Sequence, residues 1–111
     1  MGVTRKEFDL RLGESLPSMG SNPGPQRLAS VAQEAERLDF DSVWVPDHVL
    51  RVFAPILDPL TTLSFVAGAT QSVGLGTNVL IAPYRHAVIL ANGVASLDVL
   101  SDGRSVLCAA S

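Results

Sequence analysis

Two periodicities take turns along this chain, short runs in which apolar and polar residues alternate and longer stretches in which apolar residues return every three or four positions. Phe8, Leu10 and Leu12 alternate with Asp9 and Arg11, which predicts a first strand ending at Gly13. Residues 15–26 are rich in Ser, Pro and Gly, residues that supply turn conformations, so a long loop follows. Pro25 suits a first helical turn. Leu28, Val31, Ala32, Ala35 and Leu38 then recur on one face, predicting a helix to about Asp39. Asp41-Ser42-Val43-Trp44-Val45, stopped by Pro46, predicts a second strand. Asp58-Pro59 places a capping side chain before a first-turn proline. Leu60, Leu63, Val66, Ala67 and Thr70 form one face of the helix that follows, which should end near Ser72. Residues 73–81 predict a third strand closed by Pro83, and 88–100 a third helix ended by Ser101-Asp102-Gly103. A fourth strand is expected over 105–109.

The strand starts recur about every 32 residues, a period that fits βαβ units because each parallel crossover needs a helix of a dozen or more residues. Right-handed crossovers then dictate a parallel sheet with helices outside it. Between a closed barrel and an open doubly wound sheet, the first strand exit decides: Gly13-Glu14-Ser15-Leu16-Pro17 lacks the glycine spacing of a dinucleotide-binding turn. The expected fold is therefore an α/β partial TIM (β/α)8 barrel, three β/α units and a fourth strand, less than half of the roughly 250 residues a barrel needs. An open flavodoxin-like nucleotide-binding domain is the weaker rival. The third helix is apolar on most of its surface and is expected to bury itself against neighbouring helices or another subunit.

Composition narrows the function classes. The chain is 47% hydrophobic and 17% charged with a formal net charge of −3, its basic residues scattered, so it carries no footprint for nucleic acid or an anionic membrane. A single cysteine, Cys108, has no internal disulfide partner and no ligand cluster, and reads as a small buried apolar residue; no metal site is expected. Neither a signal peptide nor a membrane span is recognisable, and a cytoplasmic location is the expectation.

In a barrel, functional residues sit on loops after the carboxyl ends of strands. Asp47-His48 follows strand two there, where an imidazole can relay a proton and a neighbouring carboxylate can orient it. Asp47 capping a turn, with His48 merely solvated, is the alternative. Gly76 and Asn78 interrupt the third strand, and a glycine inside a strand marks a bulge or a close approach. Arg85 stands between anion pairing and an ordinary surface position.

Four segments taken in order, Phe40 to His48, Asp58-Pro59-Leu60, Gly74 to Val79 and Leu97 to Arg104, give the chain a family likeness. It resembles the N-terminal part of the bacterial luciferase-like monooxygenases, above all the branch that uses coenzyme F420, over about residues 7–104. The resemblance implies that residues 1–111 are the incomplete N-terminal portion of one luciferase-like barrel domain, belonging to an oxidoreductase or monooxygenase that uses F420 or FMN. It implies hydride transfer or oxygen activation at the ring, on a small organic substrate. It also maps a non-proline cis peptide onto Asn78-Val79, assigns Thr77, Asn78 and Val79 to cofactor binding, and assigns His48 and Asp47 to catalysis. Ala87 departs from a proline frequent in the family, and 105–111 departs from a glycine-rich fourth strand. The family's phosphate-binding loops lie in its other half, so the isolated chain is expected to be inactive or nearly so. Its exposed strands and helices are expected to drive homo-oligomerisation or aggregation, and a non-catalytic half-barrel acting only by association is the alternative.

Overall fold

The computed structural model describes residues 10–20, 23–48 and 56–111. Four strands, β1 (Gly13–Ser15), β2 (Ser42–Val45), β3 (Gly74–Ile81) and β4 (Ser105–Ala110), alternate with three helices, α1 (Pro25–Arg37), α2 (Pro59–Ala69) and α3 (Ala87–Leu100). A 3-10 turn at Ala82–Tyr84 leads from β3 towards α3. All strand pairs are parallel and the sheet order is β1-β2-β3-β4. Every crossover therefore steps to the next neighbour in one direction. A doubly wound sheet would reverse its order at a switch point and carry helices on both faces. Here Leu28, Ala32 and Ala35 of α1, Leu63, Val66 and Ala67 of α2, and Leu97 of α3 join Val43, Val45 and Leu75 in one core cluster. All three helices thus cover the same face of the sheet, and the other face is left for the barrel interior.

Local chemistry explains the element boundaries. Asp58 accepts the Thr61 backbone N–H at 2.9 Å, and Pro59 at the first helical position needs no donor partner. α1 and α3 end in the same way. Phe40 N–H reaches Ala35 O at 2.9 Å and Gly103 N–H reaches Asp98 O at 2.8 Å, while Asp39 (φ 64°) and Asp102 (φ 58°) take the left-handed conformation that this closure requires. Two charged side chains tie the helices to the sheet at its amino end. The Glu36 carboxylate of α1 accepts the N–H groups of Gln71, Ser72 and Val73 before β3. Arg104 donates to the carbonyls of Ala67, Val73 and Ser101 and to the Thr70 hydroxyl, satisfying carbonyls that the end of α2 leaves open.

One expectation changes, and a second is not met within this chain. The first strand begins where it was expected to end: Gly13 pairs with Ser42, and Leu10 and Leu12 are exposed. The Asp41 carboxylate takes the Leu12 N–H at 2.7 Å, in the place of a backbone acceptor, so the ladder starts one residue later. Phe8 lies outside the described residues. The third helix buries only Leu97, while Val88, Ile89, Val99 and Leu100 are each more than two-thirds exposed. Among the described residues no helix is long and apolar enough to cross a membrane.

Candidate functional site

Side chains alternate across a strand, so the residues turned away from the helices follow from the core. With Val43, Val45 and Leu75 on the helix side, Trp44 and Gly76 lie on the other. The Trp44 indole spreads over two glycines. A Cβ on Gly13 would stand 2.5 Å from its Nε1, and a Cβ on Gly76 2.4 Å from its six-membered ring, distances no real side chain tolerates. The indole N–H donates to Ser42 Oγ at 2.8 Å, which holds the ring in that plane. Gly76 therefore does mark a close approach, and the group that approaches is this chain's own tryptophan.

Beside the indole is an open cavity of about 430 Å³ lined by Gly13, Ser15, Trp44, Asn78 and Cys108. It runs along the sheet face from Gly13, at the start of β1, to Asn78 and Cys108, and none of the five lining residues is charged. Asn78 reaches it because β3 carries an extra residue there. Thr77 pairs with Leu107 and Leu80 with Ala109, three steps on β3 against two on β4. The Asn78-Val79 peptide within this bulge is cis. Thr77 is almost fully buried, and its hydroxyl accepts Cys108 N–H at 3.1 Å and donates to Cys108 O at 3.0 Å. It thereby replaces ladder bonds that the bulge interrupts. Asn78 and Val79 are exposed. Cys108, expected to be a buried apolar residue, is an exposed free thiol on this face.

Asp47 and His48 line a second cavity, of about 230 Å³, together with Ile56, Leu57, Asp58, Pro59 and Arg85. Asp47 is 3% exposed and both its oxygens are occupied. Arg85 grips it with two nitrogens at 2.5 and 3.0 Å, and Ile81 N–H donates to Oδ2 at 2.8 Å. The same guanidinium reaches Asp58 Oδ1 at 3.2 Å. Burial pushes the Asp47 carboxyl up, but the Arg85 and Ile81 donors outweigh it and hold the group below its ordinary range. Asp58 is likewise held low, its burial outweighed by Thr61 and Arg85. Pairing with Asp47 raises Arg85. The arginine is thus a clasp joining the exits of β2 and β3 to the α2 cap, neither a surface residue nor a free anion site. His48 is exposed beside it.

The structure therefore separates the predicted residues: Asp47 and His48 line one cavity and Asn78 the other, while Thr77 and Val79 line neither of the two. Asp47 does meet the far end of β3, through Ile81, but Asn78 faces a different concavity. Sequence reasoning overlooked Trp44 and Ser15 as lining residues, Arg85 as the partner of Asp47, and the Thr77 to Cys108 link. The alternation of Val43 and Val45 around Trp44 was the available signal for the first of these. Among the described residues no group of three or more potential metal ligands comes together.

Residues 9–111 match the family model for luciferase-like monooxygenases. A 5,10-methylenetetrahydromethanopterin reductase from Methanolobus tindarius is 37% identical over 81 residues, 73% of this chain and 23% of that protein. An F420-dependent glucose-6-phosphate dehydrogenase from Kineococcus radiotolerans is 35% identical over 102 residues, 88% of this chain and 30% of that protein. Among solved structures, the coenzyme F420 dependent tetrahydromethanopterin reductase of Methanopyrus kandleri superposes with a TM-score of 0.75 at 26% identity, covering 89% of this chain and 26% of its own. The chain thus spans less than a third of the length of each of these relatives.

Proposed function

Because the chain belongs to the luciferase-like monooxygenase family, we propose that residues 1–111 form the opening part of a single barrel domain in an F420- or FMN-dependent oxidoreductase or monooxygenase. The observation that carries this reading is the uncharged concavity beside the Trp44 indole, with Asn78 and Ser15 at its edge. Its shape and chemistry suit a flat heteroaromatic ring with hydrogen-bonding edges, since an apolar surface with a few convergent polar groups is the usual composition of such sites. The uncharged lining suits the ring of such a cofactor. The relatives named above that are F420-dependent give the same direction.

When bound, the ring would supply hydride transfer or oxygen activation towards a small organic substrate. Asn78 and Val79 would hold it, with Thr77 fixing the bulge that presents them. His48 would hold or deliver a proton at an imidazole nitrogen. Asp47, whose oxygens are already taken, would act by fixing the segment that carries His48. A second reading, a half-barrel that works only by pairing with itself or a complementary chain, is favoured by the exposed apolar residues of α3.

Titration of F420 and of FMN into the 111-residue chain, with bound ligand measured by equilibrium dialysis, tests the first reading. Saturable binding weaker than micromolar, further weakened several-fold by Asn78→Ala, is expected. Absence of saturable binding for both ligands, or indifference to Asn78→Ala, would overturn it.

A further inference from the structure

We infer that Arg85 is a positioning residue for the role proposed above for His48, on which the inference rests: acting through Asp47, it holds the segment that carries His48 against the exit of β3. Every contact involved lies within this chain. The turn at Ala82–Tyr84 closes with the Arg85 N–H donating to Ala82 O at 3.0 Å, which brings the guanidinium back towards Ile81, the last residue of β3. Ile81 is then held at both of its backbone groups. Its N–H donates to Asp47 Oδ2 at 2.8 Å, and its carbonyl accepts from Arg85 Nη1 at 3.3 Å, while Nη1 and Nη2 close on the two oxygens of Asp47. The Asp47 side chain is almost fully buried with both oxygens taken, so it is fixed in one orientation. Pro46 precedes it with a φ set by its ring, and the chain leaving β2 has therefore lost most of its freedom before His48 is reached. A buried ion pair adds little net stability, because removing both charges from water offsets their attraction; what the two-pronged contact supplies is a fixed geometry. Its second arm, from Arg85 Nη2 to Asp58 Oδ1 at 3.2 Å, extends that frame to the cap of α2, and His48 lines a cavity with all three of these charged residues. An imidazole that takes or gives a proton depends on neighbours that hold it in place.

Backbone 15N relaxation of the 111-residue chain tests this with no cofactor present, and it separates local motion from the tumbling of whatever species is in solution. The His48 amide is expected to be as rigid as those of β2, with an order parameter of about 0.85. Arg85→Gln, which removes the charge and the two-pronged contact, should lower it below about 0.6, and Arg85→Lys should restore only part. Because Arg85 acts through Asp47, adding Arg85→Gln to Asp47→Asn should lower the His48 value no further than Asp47→Asn does alone. Arg104→Gln, which loosens the opposite end of the sheet, should lower the urea midpoint and leave the His48 amide rigid. The amide spectrum establishes that each variant is folded, and the wild-type value needs no variant at all.

A wild-type His48 amide below about 0.6 would overturn the positioning role. So would an amide that stays rigid in Arg85→Gln while the urea midpoint falls, since the ion pair would then be a structural contact only. A loss in the double variant beyond that of Asp47→Asn would show Arg85 reaching His48 by another route, with the same result. The cofactor reading fails in the dialysis titration and not in the relaxation data, so neither failure can be mistaken for the other.

Discussion

Asp47 and Arg85 illustrate how much a side chain's role depends on a partner that lies far off in sequence. From its position after β2, Asp47 was a candidate for orienting His48, and Arg85, 38 residues on, was a candidate for anions. Their bidentate contact uses up both. Removing one member of a buried ion pair leaves the other uncompensated, so Arg85→Ala should destabilise the chain by about 3 kcal/mol, the lower part of the usual range because the arginine keeps some solvent contact. Arg85→Lys should recover only part, since an ammonium cannot make the two-pronged contact. Urea unfolding checks both, and a loss below about 0.5 kcal/mol for Arg85→Ala would contradict the clasp. Gly76 carries a second residue-scale prediction. A methyl there meets the Trp44 ring, which its hydrogen bond to Ser42 holds in place. Gly76→Ala should cost about 1 to 3 kcal/mol and shift Trp44 emission, whereas Gly68→Ala, on an open face of α2, should do neither. The glycine itself was readable in the sequence as a place of close approach; the identity of the approaching ring required knowing that β2 pairs with β3 in a register that sets Trp44 opposite Gly76.

At the scale of elements, α2, α3, β2 and β3 were legible because their boundaries are written in local chemistry: Asp58-Pro59 opens α2, Pro46 stops β2, and Ser101-Asp102-Gly103 closes α3. β1 was displaced because the cause is not local. Leu12 has the right alternation, but the carboxylate of Asp41, 29 residues away, takes its N–H. The joints between elements are also made by remote charges, and these respond to pH. The Glu36 carboxyl is raised by burial, yet the N–H groups of Ser72, Val73 and Gln71 outweigh this and hold it below its ordinary range, as donors hold Asp47. For acids whose folded pKa is depressed, the stabilisation is complete above the unfolded pKa and disappears as pH falls towards the folded one. The urea midpoint should therefore stay level from pH 7 to about 5 and fall below that, through the ordinary carboxylate range. Glu36→Gln, which keeps the shape but cannot be protonated, should lower the plateau and flatten the acid limb. A midpoint that rose on acidification would refute this account of the joints.

For the molecule as a whole, the repeat of strand and helix foretold a parallel sheet in sequential order, because a regular spacing that leaves room for one helix per crossover admits few other arrangements. What the repeat could not convey is the division of the strand exits into two concavities, since that depends on the bulge turning Asn78 inward while Ile81 faces Asp47. Nor did it convey how little of α3 the sheet would cover. An apolar helix was expected to be buried, and within this chain it is not: Val88 and Ile89 near its start and Val99 and Leu100 near its end all face outward. Exposed apolar surface of that extent is removed from water most readily by another protein surface. The 111-residue chain should accordingly sediment as species larger than the monomer at tens of micromolar and dissociate on dilution. Because Ile89 and Leu100 make no contribution to the buried core, Ile89→Lys with Leu100→Lys should shift the distribution to monomer while leaving the urea midpoint of the dilute chain within about 0.5 kcal/mol of wild type. Association that persisted in this double variant would move the cause away from α3, to surfaces such as the open edges of β1 and β4.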